Sequence, residues 1–268
     1  GLGDPFFVSE EIQLLGRELK GKISSKMRHL LLDNSAFTFP LQADGVERSR
    51  NPYDALNGAL LVNFNTASLE KKTDGTLISA EKQTPLTPLT ISLGKQLKPG
   101  KQRINLAEDP AFAQRYSGEL MQAIWKENEV EFTGEIKNSH KKENDKLIFQ
   151  YKNSKALKEI LEKMLKYSNN FIANQILLSA PLEKNHSSID FERSIKPWKD
   201  WWQNKVGISP EKISLVEASG ISRKNRLSEM DMLKVLELLR MHPHLLSKYQ
   251  GLTSKTGSLK GVYSLVGY

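Results

Sequence analysis

The 268-residue chain contains no cysteine, which excludes disulfides, thiolate metal sites and a cysteine nucleophile. It has no apolar run approaching the roughly 18 residues that a transmembrane helix needs. No basic segment followed by an apolar stretch and a small-residue cleavage site marks a signal peptide. A basic stripe interleaved with aromatics is also missing, so nucleic acid is set aside as a partner. There is no internal repeat and no low-complexity tract, and the first residue is Gly, not Met. The chain is therefore expected to have been processed, trimmed or cloned from a longer reading frame.

What is present describes a folded protein. Hydrophobic residues make up 38% and charged residues 26%, ordinary values for a globular chain, and the length suits one large or two modest domains. The net charge of +8 would fit a polyanionic partner, an anionic membrane surface or an acidic cell-wall polymer. Much of the excess is local, since Lys137 to Lys166 holds nine lysines against four acids. That stretch reads as a solvated loop followed by the outer face of a helix.

Ser9 to Leu19 predicts a helix with Ser9 as N-cap and Ile12, Leu14, Leu15 and Leu19 on one face. "HLLLDNSAF" and "ALLVNFNT" read as strands, the second buried on both faces through Leu60, Leu61, Val62 and Phe64. "TPLTPLT" (84–90) holds two prolines and is expected to be extended or turning. A proline-started helix runs from Asp109 to Lys126 with Tyr116, Leu120, Ile124 and Trp125, "EVEFTGEI" then alternates as a strand, and the polar stretch 137–146 predicts a loop near a domain boundary.

The second half is more helical. Leu157, Ile160, Leu161, Met164 and Leu165 recur at helical spacing, and Phe171, Ile172, Ile176 and Leu177 do so again after a break at 167–170. Pro197 suits the first turn of a helix carrying Trp198, Trp201 and Trp202, "KISLVEASG" reads as a strand, and Ser228 caps another helix. Two final strands are joined by a tight "SLKG" turn.

Three stretches of this half belong together. Ser168-Asn169-Asn170 lies between two helices, "ASGISRKNRLS" covers 218–228, and Lys255-Thr256-Gly257-Ser258 falls on a strand. A hydroxyl and an amide two residues apart on an interhelical loop, with a Lys-Thr-Gly strand, are the second and third motifs of serine acyl-transferases. A peptide ending in a free carboxylate wants a fixed cation and hydroxyl donors, which Lys255, Thr256 and Ser258 on an edge strand can supply. Gly257 lets a substrate backbone approach.

With "GDPFF", "LLLDNSAF", "PYDALNGALLVNFNT", "YSNNFIANQI", "EASGISRKNRLS" and "KTGSLKGVYSLVGY" in this order, the chain resembles the low-molecular-mass class C penicillin-binding proteins, D-alanyl-D-alanine carboxypeptidase/endopeptidases. The resemblance implies that Ser168 relays a proton toward the leaving D-Ala, Asn170 holds the substrate amide, Lys255 completes the catalytic set, and the Ser258 N–H is half of an oxyanion hole. It implies a β-lactamase/transpeptidase-like α/β fold, an antiparallel sheet with packed helices, over residues 151–268, and an inserted mixed α+β accessory domain over residues 1–150. Peptidoglycan stem peptides and β-lactams are the implied partners, in the periplasm or elsewhere outside the cytoplasmic membrane. No cofactor and no metal are expected; the sequence leaves oligomeric state open.

The family's nucleophile is a Ser-x-x-Lys motif opening a buried helix. Five matches occur, beginning at Ser68, Ser79, Ser92, Ser139 and Ser209, and none is followed by an apolar helical pattern. Each reads as a turn or solvated loop. The resemblance places the nucleophile helix before Gly1, and the apolar C-terminal strand is expected to continue into a further strand and helix. Without the nucleophile the chain alone is predicted to be inactive; the alternative is a non-catalytic peptidoglycan-binding scaffold.

Other candidates have plainer readings. His29, His140, His186, His242 and His244 are scattered, and "HPH" reads as a helix-end loop without an acidic partner. The three tryptophans are expected to pack against a sheet. A second Ser-x-Asn, Ser49 to Asn51, precedes a proline; Asp33 and Asp54 show no spacing of a carboxylate pair; and Ser219 is given a structural role.

Overall fold

The computed structural model describes residues 1–23, 26–182, 188–249 and 251–268, so His186 lies outside the described residues. In chain order the first part holds α1 (Ser9–Leu19), β1 (Lys26–Met27), β2 (Leu30–Leu32), β3 (Thr66–Lys71), β4 (Leu77–Ser79), α2 (Pro88–Gly94), β5 (Gly100–Asn105), α3 (Pro110–Glu127), β6 (Glu131–Phe132) and β7 (Ile136–Asn138). The second part holds α4 (Leu157–Tyr167), α5 (Asn170–Ser179), α6 (Phe191–Trp201), α7 (Glu229–Leu239), β8 (Ser247–Tyr249), β9 (Leu252–Leu259) and β10 (Val262–Gly267). The fold is mixed α/β: two three-stranded antiparallel sheets, β4-β3-β5 and β10-β9-β8, accompany two short parallel pairs, β1 with β6 and β2 with β7.

The largest core lies under α1 and α3, where Ile12, Leu106 and Leu120 are fully buried against the β3 residues Ala67 and Leu69. The Trp125 indole donates to the Ile12 carbonyl at 2.9 Å, and Gly16 makes room for the ring, since a Cβ there would stand 2.6 Å from it. Two smaller clusters bring α5 into the molecule: Leu178 packs with Phe37, Leu41, Ala59 and Ile189, and Phe171 with Leu61 and Ala113.

Several expected elements differ. "ALLVNFNT" is not a strand through its middle, because Asn63, Phe64 and Asn65 take left-handed backbone angles (φ 50°, 61° and 54°) and β3 begins only at Thr66. Such residues cost roughly 1–2 kcal/mol each. The turn is held by the Asn63 side chain, which accepts from Ser9 N–H and donates to Ser9 Oγ, both at 2.9 Å. Ser9 is consequently the first helical residue of α1 and not its cap; Val8 occupies the cap position with no side-chain bond. "TPLTPLT" is extended only up to Thr87, which caps α2 in a reciprocal arrangement with Thr90 while Pro88 fits the first turn.

"EVEFTGEI" divides into β6 and β7. "KISLVEASG" is not a regular strand but a loop with one bridge from Ser214 to Arg226. Pro197 sits inside α6 and not in its first turn, with a π-helical turn at Trp202–Val206 following. The tryptophans stack edge-on against one another, with centroids 6.2 and 5.2 Å apart, and Trp201 stays 39% exposed instead of packing on a sheet. On α4 only Ile160 is fully buried, and Leu157 is exposed.

The connection into α4 positions the site. Residues 151–154 have no regular structure but are anchored on the N-terminal segment. Asn153 Nδ2 donates to both carboxylate oxygens of Asp4 at 3.0 Å and to the Phe6 carbonyl at 2.9 Å. The buried Glu11 carboxylate accepts from Tyr151 Oη at 2.6 Å, Ser154 N at 2.8 Å and Ser154 Oγ at 2.5 Å. Burial raises the Asp4 carboxyl above the usual carboxylate range. Burial and the hydrogen bond to Glu11 push the Tyr151 phenol up as well.

Candidate active site

Helix α4 ends in a left-handed residue, Ser168 (φ 50°, ψ 51°). Glycine is the usual occupant of that C-terminal position. A serine held there is the kind of backbone strain that structure elsewhere must support. The support is visible: Asn169 N–H closes onto the Met164 carbonyl at 3.0 Å, and the Asn169 side chain caps α5 by accepting from Ile172 N–H at 3.0 Å. Ser168 and Asn170 therefore project from a rigid turn between two helices. Asn170 Nδ2 donates to the Tyr53 carbonyl at 3.2 Å.

Opposite this turn runs β9. It is the central strand of its sheet, not an edge strand, but β8 pairs only with Leu252 to Ser254. From Lys255 onward β9 has β10 on one side only, so the residues expected at an edge do stand on an open one. A Cβ on Gly257 would lie 2.6 Å from Ser264 Oγ across the pair with β10; its missing side chain thus also serves the hairpin.

The two elements meet. Lys255 Nζ donates to Ser168 Oγ at 2.6 Å and to the Thr256 carbonyl at 2.6 Å, and burial lowers the Lys255 ammonium below the ordinary lysine range. Ser168, Asn170, Lys255, Thr256, Gly257 and Ser258 line one cleft of about 760 Å³. A cation and hydroxyls on one wall, with an amide facing them, can take a terminal carboxylate and the adjoining amide.

The floor of the cleft is a loop whose organiser the sequence reading missed. Glu217 is fully buried and accepts from Ser219 N at 2.6 Å, Ser219 Oγ at 2.5 Å, Gly220 N at 2.9 Å, Ser222 N at 3.2 Å and Asn225 Nδ2 at 2.5 Å. These bonds satisfy a charge that would otherwise be costly to bury. The structural role given to Ser219 agrees with its bond to Glu217. The available signal was a lone acid in an apolar run just before Ser-Gly, where successive N–H groups can converge. Arg223 joins the loop to the hairpin turn through the Lys260 carbonyl at 2.5 Å, and Ser222 and Lys224 both donate to Asp44.

The other candidates lie apart from this chemistry. Ser68 is on β3, Ser79 ends β4 and Ser92 is on the exposed side of α2. Those three are in or at regular elements, not in the turns and loops expected. Ser139 follows β7 and Ser209 precedes a short 3₁₀ turn. None of the five lines the cleft. Ser49 donates to Asp54 at 2.5 Å and accepts from Asn51 N–H at 3.0 Å, which makes the second Ser-x-Asn a turn. His244 does have an acidic neighbour, Glu162 at 3.8 Å, contrary to the reading of "HPH". Among the described residues no group of three or more metal-ligating side chains converges, and no helix is long and apolar enough to cross a membrane.

A strand-borne lysine bonded to an interhelical serine on a mixed α/β scaffold is the arrangement found in serine acyl-transferases. The D-Ala-D-Ala carboxypeptidase 3 (S13) family matches residues 88–253, more than half of the 268 residues, and the chain belongs to that family. It is 28% identical over 177 residues to the D-alanyl-D-alanine carboxypeptidase DacB of Haemophilus influenzae. That alignment covers 57% of this chain and spans about a third (36%) of the relative. The crystal structure of penicillin binding protein 4 (dacB) from Haemophilus influenzae shares the fold with a TM-score of 0.74 at 22% identity, covering 99% of this chain and 71% of that one. The same protein complexed with a novel β-lactam gives a TM-score of 0.68 at 22% identity, over 99% of this chain and 70% of that one.

Proposed function

We propose that this chain carries the peptide-binding cleft of a serine-type D-Ala-D-Ala carboxypeptidase or endopeptidase that acts on peptidoglycan through an acyl-serine intermediate, outside the cytoplasmic membrane. The observation that carries this reading is the 2.6 Å bond between Lys255 and Ser168 over the cleft. The terminal carboxylate of the substrate is held by Lys255, Thr256 and Ser258. Ser168, hydrogen-bonded to the ammonium, passes a proton to the leaving D-Ala nitrogen, and Asn170 donates to the amide on the acyl side. The Ser258 N–H faces the developing oxyanion, a contribution of about 2.7–4 kcal/mol where single donors have been removed from such sites.

The attacking serine is assigned to none of the five Ser-x-x-Lys serines, which supports the prediction that the chain by itself does not turn over. The same observation favours a second reading, a non-catalytic relative that binds peptidoglycan peptides and scaffolds other wall enzymes. Residues 1–150 are read as an accessory segment inserted into the catalytic fold. The largest core supports this, since its buried members all fall between Phe7 and Val130.

Titration of the isotopically labelled chain with diacetyl-L-Lys-D-Ala-D-Ala tests the cleft under either reading. Amide resonances of Ser168, Asn170 and Lys255 to Ser258 are expected to shift, and the D-Ala-L-Ala diastereomer is expected to leave them in place. Shifts confined to another surface, or none with either peptide, would overturn the assignment.

A further inference from the structure

The turn that carries Ser168 and Asn170 is the apex of two helices, and both helices lean on one short stretch of chain, Gly3 to Phe6. At the far end of α5, Ser179 Oγ lies 2.5 Å from the Gly3 carbonyl. Gly3 donates its N–H to the Ala59 carbonyl at 2.8 Å, and its left-handed backbone (φ 75°) suits glycine, since a Cβ there would stand 2.7 Å from Ser179 Oγ. At the start of α4, Asn153 Nδ2 donates to the Asp4 carboxylate and to the Phe6 carbonyl. The Asn153 Oδ1 accepts from Lys155 N–H at 2.8 Å, which leads the chain into the helix. Between the two helices the Phe6 ring stands edge-on to Phe64 at 5.5 Å, and Phe64 edge-on to Phe171, in the first turn of α5, at 6.1 Å.

Asp4 ties these contacts together. One of its oxygens accepts from Phe6 N–H at 2.8 Å and so folds the stretch back, while both accept from Asn153 at 3.0 Å. Helix α4 has little else to fix it, because Ile160 is its one buried side chain. Its 11 residues span about 16 Å, so a tilt at the base is carried to the apex.

We infer that Asp4 is a positioning residue for the Ser168–Asn170 turn: by tying Asn153 and Phe6 together it fixes the base of α4 against α5 and holds Ser168 Oγ at hydrogen-bonding distance from Lys255. Asp4 does not line the cleft. Its effect on peptide affinity rests on the D-Ala-D-Ala reading, and its effect on the turn does not.

The test follows the Lys255 Cε resonance of the labelled chain as pH is raised, with the amides of Ser168 to Asn170 and the affinity for diacetyl-L-Lys-D-Ala-D-Ala measured at neutral pH. In Asp4→Leu and in the milder Asn153→Ala, the turn amides are expected to move without ligand. The Lys255 titration is expected to rise toward its ordinary 10.5 as Ser168 withdraws and water reaches the ammonium, and peptide affinity to fall about fivefold. Asp4→Asn keeps an oxygen for Phe6 and Asn153 and is expected to keep the parent values. Glu47, Asp54, Arg223 and Lys260, the other charged residues lining the cleft, are common to all these chains, so a difference between them reports the turn. Leu120→Val, in the core away from the cleft, is expected to lower the urea midpoint and leave Lys255 and the turn as in the parent. Parent values in Asn153→Ala, or an equal displacement in Leu120→Val, overturn the positioning role. Failure of the parent chain to bind the peptide removes the D-Ala-D-Ala reading, and the Lys255 titration and turn amides still decide the role of Asp4.

Discussion

Asn174, one turn into α5 from Asn170, accepts a 2.7 Å hydrogen bond from the Ala218 N–H, so the helix bearing the amide of the cleft and the loop forming its floor are directly joined. Asn174 is 2% exposed. Asn174→Ala removes this part-buried hydrogen bond, a loss of about 1 kcal/mol. The expected result is a lower urea midpoint with an unchanged slope, together with amide shifts at Ser219 and Gly220. A stability equal to the parent's would mean that the loop holds its shape without α5.

Lys255 is predicted to set a pH limit on ligand binding. Burial lowers its ammonium below the ordinary value of 10.5, so the charge proposed to meet a carboxylate is lost as pH rises through that lowered value. Affinity for a peptide ending in D-Ala-D-Ala is expected to fall before pH reaches 10.5, with the decline moved to higher pH in Lys255→Arg. Lys255→Met is expected to weaken binding at pH 7 by roughly tenfold or more, as removal of a charge-assisted partner does. A flat profile in the parent chain would exclude Lys255 from the carboxylate site.

Asp44 gives an acid-limb prediction. The hydrogen bond from Lys224, followed by that from Ser222, holds its carboxyl below the usual carboxylate value of 3.8. The folded protein thus takes up this proton less readily than the unfolded chain. The contact stabilises fully above the unfolded value, and the stabilisation is lost as pH falls through the folded one. Asp44→Asn is expected to show a shallower loss of stability on acidification, by about one proton at most in the slope of unfolding free energy against pH. An identical slope in parent and variant would show that the pair does not report on folding.

Covalent chemistry is predicted to be absent from the chain alone. Incubated with a fluorescent penicillin and analysed as an intact mass, it is expected to show no acyl adduct, while a D-Ala-D-Ala peptide still shifts the cleft resonances. An adduct mapped to Ser68, Ser79, Ser92, Ser139 or Ser209 would overturn the assignment of the nucleophile outside those motifs.

Much of the fold was legible locally. The periodicity in α1, α3 and α5 reports burial along a single element, and the caps at Asp109 and Ser228 act within a few residues. The Ser168 and Lys255 motifs were legible as motifs. The errors fall where distant partners override local preference. The apolar "ALLVNFNT" looks like a strand until the Asn63 amide, locked to Ser9 54 positions away, bends it through three left-handed residues. "KISLVEASG" alternates like a strand, but its acid turns inward to collect the N–H groups of the loop that follows.

The sequence by itself determined the buried faces of α1, α3 and α5, the final hairpin and the residue types of the proposed acyl-transfer site, because periodicity, capping and turn chemistry act over a few positions. Only the tertiary structure decided that the serine and lysine, 87 positions apart, share a 2.6 Å hydrogen bond and that Glu217 is the centre of the loop beneath them. Those relationships depend on how elements pack across long stretches of chain, and no short window of sequence contains that information.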